Sequence, residues 1–233
     1  MNFNETLISG DFIKRYKRFF VDIKMGNNTI TAHCPNTGSM MGLLKKGNKV
    51  WFSRSDNPKR KLKYTLQIFE NQNSKIGINT HLTNKIIFDA LKKRYIKNFI
   101  KIDDIKQEVK FGENTRFDFL LTEKTKKTFI EVKNVTLSRE KNIAEFPDAV
   151  TSRGLKHVKE LLKAKQKGFE IYLLFVIQRN DCNKFQLAND IDPEYCEFLI
   201  KAVKKNLKIL CYDCKFSTKG IKLNRKIKLI FNE

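Results

Sequence analysis

No stretch of this sequence approaches the roughly 20 apolar residues that a membrane-spanning helix needs, which excludes a span of that kind. The opening residues, MNFNETLISGDFIKRYKRFF, also lack the apolar segment of a secretory leader. Cysteine is sparse and odd in number: Cys34, Cys182, Cys196, Cys211 and Cys214. An odd count without a secretory signal argues against a disulfide framework and for a reducing, cytoplasmic setting. Internal repeats and low-complexity tracts are absent. Negative charge is scarce, with 25 Asp and Glu against 47 Lys and Arg.

What is present follows from that imbalance. The net charge is +22 and the isoelectric point near 9.8. A field of this sign draws polyanions, of which nucleic acid is the commonest a soluble protein meets. The alternative is compositional drift towards lysine on a solvated surface. Apolar residues make up 41% of the chain, enough for packed cores, and 233 residues allow one large domain or two small ones.

The first third reads as short strands and turns. Phe12, Tyr16, Phe19, Phe20, Val21 and Ile23 precede a polar turn at Gly26-Asn27-Asn28, across which Thr29 to Cys34 pairs back. Further strands are predicted at 49–53, 64–70 and 75–79, a pattern that suits a small barrel or sandwich. After Thr83 the period changes. Ile86, Ile87, Ala90, Leu91 and Ile96 predict a helix over 84–99. Strands follow at 105–111, 117–121 and 128–135, the last two joined by a polar hairpin connection at 122–127. Residues 148–167 form an amphipathic helix ending at Gly168, and 171–177 is a continuous apolar run typical of a buried parallel strand. Strand 128–135, this helix and strand 171–177 make a βαβ unit. Asp192-Pro193 starts another helix, which leads into strand 209–216. Residues 1–83 are thus expected to be a basic β-barrel and 84–233 an α/β domain with a mixed sheet, α+β overall.

The chemistry-bearing segment is Arg116-Phe117-Asp118-Phe119 followed by Phe129-Ile130-Glu131-Val132-Lys133. Alternate residues of a strand share a face, so Glu131 and Lys133 point one way and Ile130 and Val132 the other. Phe117 and Phe119 are expected to face away from Asp118. If the two segments pair, Asp118 meets Glu131, and Glu108 on the preceding strand supplies a third acid. Clustered carboxylates resist full ionisation unless a cation compensates. Their hard oxygens suit Mg²⁺ or Mn²⁺, which could orient and activate a water, while Lys133 holds that water or a phosphate. The competing reading is a set of ordinary charges on a half-solvated strand face.

Several blocks together resemble the sugar fermentation stimulation protein family (SfsA), whose members bind DNA. They are Arg15-Tyr-Lys-Arg-Phe, His33-Cys-Pro-Asn-Thr-Gly-Ser-Met, Trp51-Phe-Ser-Arg-Ser-Asp-Asn-Pro-Lys-Arg-Lys and Gly77-Ile-Asn-Thr. Glu108-Val-Lys-Phe-Gly, Arg116-Phe-Asp-Phe-Leu, Ile130-Glu-Val-Lys-Asn-Val-Thr-Leu and Phe146-Pro-Asp-Ala-Val-Thr-Ser-Arg-Gly-Leu-Lys-His follow, with Asp192 and its helix last. The resemblance implies an N-terminal OB-like barrel and a C-terminal PD-(D/E)xK nuclease-like domain. It also implies Asp118, Glu131 and Lys133 as core catalytic residues, with Glu108, Asp118 and Glu131 as ligands of Mg²⁺ or Mn²⁺. Asn134 departs from the pattern, where serine is more familiar. DNA is the implied partner, bound largely without sequence preference and with a regulatory role in sugar metabolism genes. An active DNA endonuclease is the alternative, and an RNA-processing nuclease a third reading. No membrane partner is expected, the setting is cytoplasmic and nucleoid-associated, and oligomeric state is left open.

Secondary candidates complete the reading. Arg54, Lys59, Arg60, Lys61 and Lys63 form a basic loop edged by Trp51, Phe52 and Tyr64, which could offer stacking surfaces to nucleic acid or could be buried. Arg15, Lys17 and Arg18 join that loop as DNA-contact candidates. Asp148, Arg153 and His157 are further candidates at the start of the helix. His33-Cys34 is not expected to be a nucleophilic pair, and Pro35-Asn36-Thr37-Gly38 reads as a tight turn. Cys211-x-x-Cys214 has half a zinc spacing but no second pair close in sequence, so no zinc is expected.

Overall fold

Alternating apolar residues in the first eighty positions can bury one strand face only by curling the sheet on itself. In the computed structural model, which describes residues 1–71, 74–113 and 115–230, they do so. Strands β1 (Ile8–Tyr16), β2 (Phe20–Met25), β3 (Asn28–His33), β4 (Lys49–Arg54) and β5 (Tyr64–Asn71) close into a five-stranded barrel. The pairs are antiparallel except at the seam, where Ala32 and His33 run parallel beside Tyr64 and Thr65. β6 (Ser74–Gly77) extends β5. Phe12, Val21, Ile23, Phe52, Leu66 and Phe69 fill the barrel and are at most 2% exposed.

The turn expected at Gly26-Asn27-Asn28 is present but tighter: Gly26 lies at φ +59, and Asn28, already in β3, pairs with Met25. The apolar run from Phe12 to Ile23 is not one strand, however. Lys17 and Arg18 adopt left-handed φ values of 46 and 60, and the chain reverses there so that Tyr16 pairs with Phe20.

The remainder is built on a six-stranded mixed sheet. Its elements are α1 (Thr83–Lys92), β7 (Asp104–Phe111), β8 (Thr115–Glu123), β9 (Lys126–Val135), β10 (Ile143–Phe146) and α2 (Ser152–Gln166). Then come β11 (Glu170–Ile177), β12 (Lys184–Leu187), α3 (Pro193–Lys204), β13 (Lys208–Ser217), β14 (Gly220–Lys226) and β15 (Lys228–Ile230). The sheet order is β14-β13-β11-β9-β8-β7, with β9, β11 and β13 parallel. The βαβ unit β9-α2-β11 therefore stands as expected, and Asp192 caps α3 through Tyr195 N–H with Pro193 in the first turn. The helix predicted over 84–99 stops at Lys92. Arg94 at φ 56 closes it, leaving a single 3₁₀ turn at 97–99.

Edge strand β14 and a second sheet were not foreseen. β10, β12 and β15 form a small parallel sheet; at three or four residues each they are too short to show a period. It packs with α2 and α3 on one face of the main sheet, around Phe117, Phe129, Phe175 and Phe185. The other face, with Phe119, Ile130 and Val132, is covered by α1 and by Leu7, Ile68 and Trp51 from the barrel side.

Candidate functional site

The main sheet changes face at one level, and the acids lie there. On β7, Ile105 packs on the α1 side and Val109 on the α2 side, although positions four apart in a regular strand share a face. Between them Glu108 adopts φ 52, the left-handed region that a non-glycine residue rarely enters. On β8 the same switch separates Phe119 (α1 side) from Phe117 (α2 side), so the two aromatics do not share a face as expected. The register pairs Gln107 with Phe119 and Val109 with Phe117, which brings Glu108 opposite Asp118.

Pairing of β8 with β9 ends at Phe119 and Ile130. Past that point Asp118 Oδ2 accepts the Val132 backbone N–H at 2.7 Å. Asn84, in the first turn of α1, donates to Asp118 Oδ1 at 2.7 Å and lies 3.4 Å from Glu108 Oε1. Sequence reasoning missed Asn84, because its role rests on contacts with residues 24 and 34 positions away.

Glu131 and Lys133 share a face, as the alternation requires, with Ile130 and Val132 in the opposite core. Lys133 Nζ donates to Glu131 Oε1 at 2.8 Å. His157 Nδ1, from α2, meets the same oxygen and lies 3.4 Å from Lys133 Nζ. Glu131 is 3% exposed, and its second oxygen, Oε2, is buried with no hydrogen-bond partner among the described residues. Burial by itself would raise the Glu131 pKa, but Lys133 and His157 outweigh it and hold the carboxyl below its ordinary value. Asp118 goes the other way: burial, with the Glu131 charge beside it, pushes it up to about 6.

A cleft of about 1040 Å³ opens over these groups, lined by Glu108 and Asp118 together with His81, Lys85, Arg153 and His157. Among the described residues, no three His, Cys, Asp or Glu side chains converge tightly enough to hold a metal ion by themselves. Asp118 and Glu131 supply hard oxygens, one of them unpartnered, and suit a cation that keeps water and phosphate in its remaining positions. Glu108 is exposed and, among the described residues, tied through Asn84.

The other candidates are placed as follows. Arg153 lines the cleft and His157 is part of its floor, whereas Asp148 abuts the barrel turn at Gly38, where an added Cβ would lie 2.6 Å from Asp148 Oδ2. Arg15 spends its guanidinium on the backbone carbonyls of Arg18, Asn36 and Gly38, so it shapes the 36–38 turn. Lys17, Arg18, Arg54, Lys59, Lys61 and Lys63 are exposed, and Arg60 is half-buried with a bond to Thr65. The aromatics edging the basic loop are not offered to a ligand. Phe52 is fully buried, Tyr64 packs edge-on against it, and Trp51 bonds Glu70 with Lys49 and Lys75 against its ring. Cys34 is buried in the barrel. Cys211 and Cys214 belong to opposite cores, so one ion could not bridge them. Asn134, where serine is the more familiar residue, accepts from Gln178 Nε2 at 2.6 Å, beside Thr83.

A family model described as the sugar fermentation stimulation protein RE domain matches residues 81–220, and one described as the SfsA N-terminal OB domain matches residues 13–78. This chain belongs to the sugar fermentation stimulation protein family. A family member from Pelagibacter ubique is 52% identical over 99% of both chains, and one from Maricaulis maris is 42% identical over 98% of both. The solved structure of Pyrococcus furiosus SfsA, in complex with Ca²⁺, superposes with a TM-score of 0.87 over 99% of this chain and 98% of that one, at 24% identity. The SfsA architecture, an OB barrel followed by a mixed sheet with helices, is the one found here. None of the helices among the described residues is long and apolar enough to cross a membrane.

Proposed function

We propose that this family member binds DNA with little sequence preference and that its acidic centre takes Mg²⁺ or Mn²⁺ to hydrolyse phosphodiester bonds. The observation that carries the reading is the buried, unpartnered Oε2 of Glu131 beside an Asp118 whose ionisation that same carboxylate opposes. A divalent cation between them would satisfy the oxygen and remove the repulsion. An acid on one strand and Glu-x-Lys on the next, held as found here, support a site of the PD-(D/E)xK nuclease type. The Pyrococcus furiosus SfsA structure, in complex with Ca²⁺, supports a divalent cation as the ligand here. The net charge of +22 supports a polyanionic partner, and with it association with the nucleoid in the cytoplasm.

Asp118 and Glu131 would hold the cation, with Glu108 reaching it through water. When bound, such an ion lowers the pKa of a coordinated water and offsets charge gathering on the phosphate oxygens. Lys133 Nζ donates to Glu131 with further donors for a water or a phosphate oxygen. Hydrolysis joins the water oxygen to phosphorus, breaks one phosphorus–oxygen ester bond, and returns a proton to the leaving oxygen.

The test compares wild type with an Asp118→Ala/Glu131→Ala variant on supercoiled DNA in Mn²⁺, Mg²⁺ or EDTA, with binding recorded in parallel. Metal-dependent nicking that the variant loses while still binding supports the proposal. Tight binding by both without cleavage would reduce the centre to a scaffold for gripping DNA, the mode suited to a regulator of sugar metabolism genes.

A further inference from the structure

β7 and β8 place Lys110 directly opposite Arg116, two positions beyond Glu108 and Asp118. Like charges opposed across strands repel and destabilise a sheet unless an anion lies between them. Both line the acidic cleft, and neither forms an ion pair among the described residues. Lys85, one residue after the Asn84 that touches both acids, also lines this cleft, is exposed and has no ion-pair partner there. Lys85 lines a second cleft too. That one, of about 510 Å³, lies between the start of the chain and the barrel's basic loop, with Arg54 and Arg60 on its wall. The two clefts therefore adjoin at Lys85.

Where they meet, Arg60 of one cleft and His81 of the other both lie near His33. Burial, with Arg60 and His81 close by, lowers the pKa of His33. His81 belongs to the acidic cleft and Arg60 to the barrel cleft. Cations that form no ion pair among the described residues thus border the acids on the β7–β8 hairpin and, on another element, lead away from them to the barrel.

We infer that the acidic centre acts within a bound single strand of DNA, whose phosphates are held by Lys110 and Arg116 on the hairpin and, past Lys85, by Arg54 and Arg60 in the barrel cleft. This rests on the proposed DNA binding and specifies its substrate. A single strand bends freely through two adjoining concave clefts, whereas duplex DNA, stiff over about 150 base pairs, follows such a path only at a bending cost. The strand is held through its phosphates at this end, since Phe52, Tyr64 and Trp51, the aromatics edging the basic loop, are taken up by packing and by Glu70.

The experiment measures binding of oligo(dT) of about 4 and about 16 nucleotides, the span of site sizes of single OB folds, to the full chain over a range of salt. Wild type is compared with Lys110→Gln/Arg116→Gln and with Arg54→Gln/Arg60→Gln, each checked for an unchanged thermal midpoint. The hairpin variant is expected to weaken both lengths. The barrel variant is expected to weaken the long oligonucleotide by about tenfold or more and spare the short one. Its salt slope should fall by about 0.7 for each phosphate that is no longer neutralised. An unchanged affinity and slope of the barrel variant for the long strand would overturn the inference while leaving the DNA reading intact. Tighter binding of a duplex of equal length, with the same variants affected, would overturn the single-strand assignment. Failure of wild type to bind any DNA would overturn both.

Discussion

The Val132 backbone N–H donates to Asp118 Oδ2 at 2.7 Å, just past Phe119 and Ile130, the last paired residues of β8 and β9. The carboxylate thus stands in for a strand-to-strand bond at the point where the strands part. An acid in that position serves the backbone and the site at once, and the two uses can be separated by substitution.

Asp118→Asn keeps an oxygen for Val132 and removes the charge; Asp118→Ala removes both. Asp118 is raised from 3.8 to about 6, so the fold prefers the neutral acid. The stability this contributes is present below the unfolded pKa and is lost as pH rises through about 6. Asp118→Asn should therefore gain roughly 1–3 kcal/mol relative to wild type on going from pH 5 to pH 8, measured by urea unfolding without metal. Mn²⁺ should raise the melting temperature of wild type at pH 8 and leave that of Asp118→Asn unchanged.

His157 holds Glu131 Oε1 together with Lys133. Truncation to alanine should lower metal-dependent cleavage by about 10- to 100-fold, as loss of a group that orients a ligand does. Oligonucleotide affinity should change little. Equal losses in cleavage and binding would mean that His157 acts on the DNA itself.

A Cβ at Gly77 would lie 2.2 Å from Gln178 Oε1. Gln178 ties the barrel to the main sheet: its backbone carbonyl accepts Gly77 N–H, and its side-chain amide donates to Thr83 and Asn134. Gly77→Ala should cost about 1–3 kcal/mol by overpacking. In a Gln178→Ala background the same change should cost much less, because the clashing side chain is gone. Additive unfolding energies in that cycle would contradict the close approach of these two residues.

All five cysteines are free and buried. Burial pushes Cys182 up to about 11 and Cys196 and Cys211 up to about 12. Native protein should react negligibly with a thiol reagent at pH 8 and release five equivalents in denaturant. Rapid labelling of any one thiol in the native state would show local opening around it.

Much of this was legible in the linear chain because it depends on period and type. Alternation put Glu131 and Lys133 on one face and Ile130 and Val132 on the other. The continuous run from Ile171 to Ile177 marked a strand buried on both sides, and Asp192-Pro193 marked a helix start. Failures came where local pattern competes with distant packing. Phe117 and Phe119 looked like neighbours on one face, but the switch at Asp118 sends them to different cores. Trp51 and Tyr64 looked like stacking surfaces beside a basic loop, yet Tyr64 packs on the barrel core and Trp51 on the core between barrel and main sheet.

By itself the sequence determined the barrel-then-mixed-sheet order, the excess of positive charge and the three residue types at the acidic centre, since each is a property of composition or of positions a few residues apart. The tertiary structure alone decided that Asn84 bridges Glu108 and Asp118, that His157 and Lys133 share one oxygen of Glu131, and that Lys110 faces Arg116. Those relationships join separate elements, and their geometry is set by how the sheet, α1 and α2 pack, which no local pattern encodes.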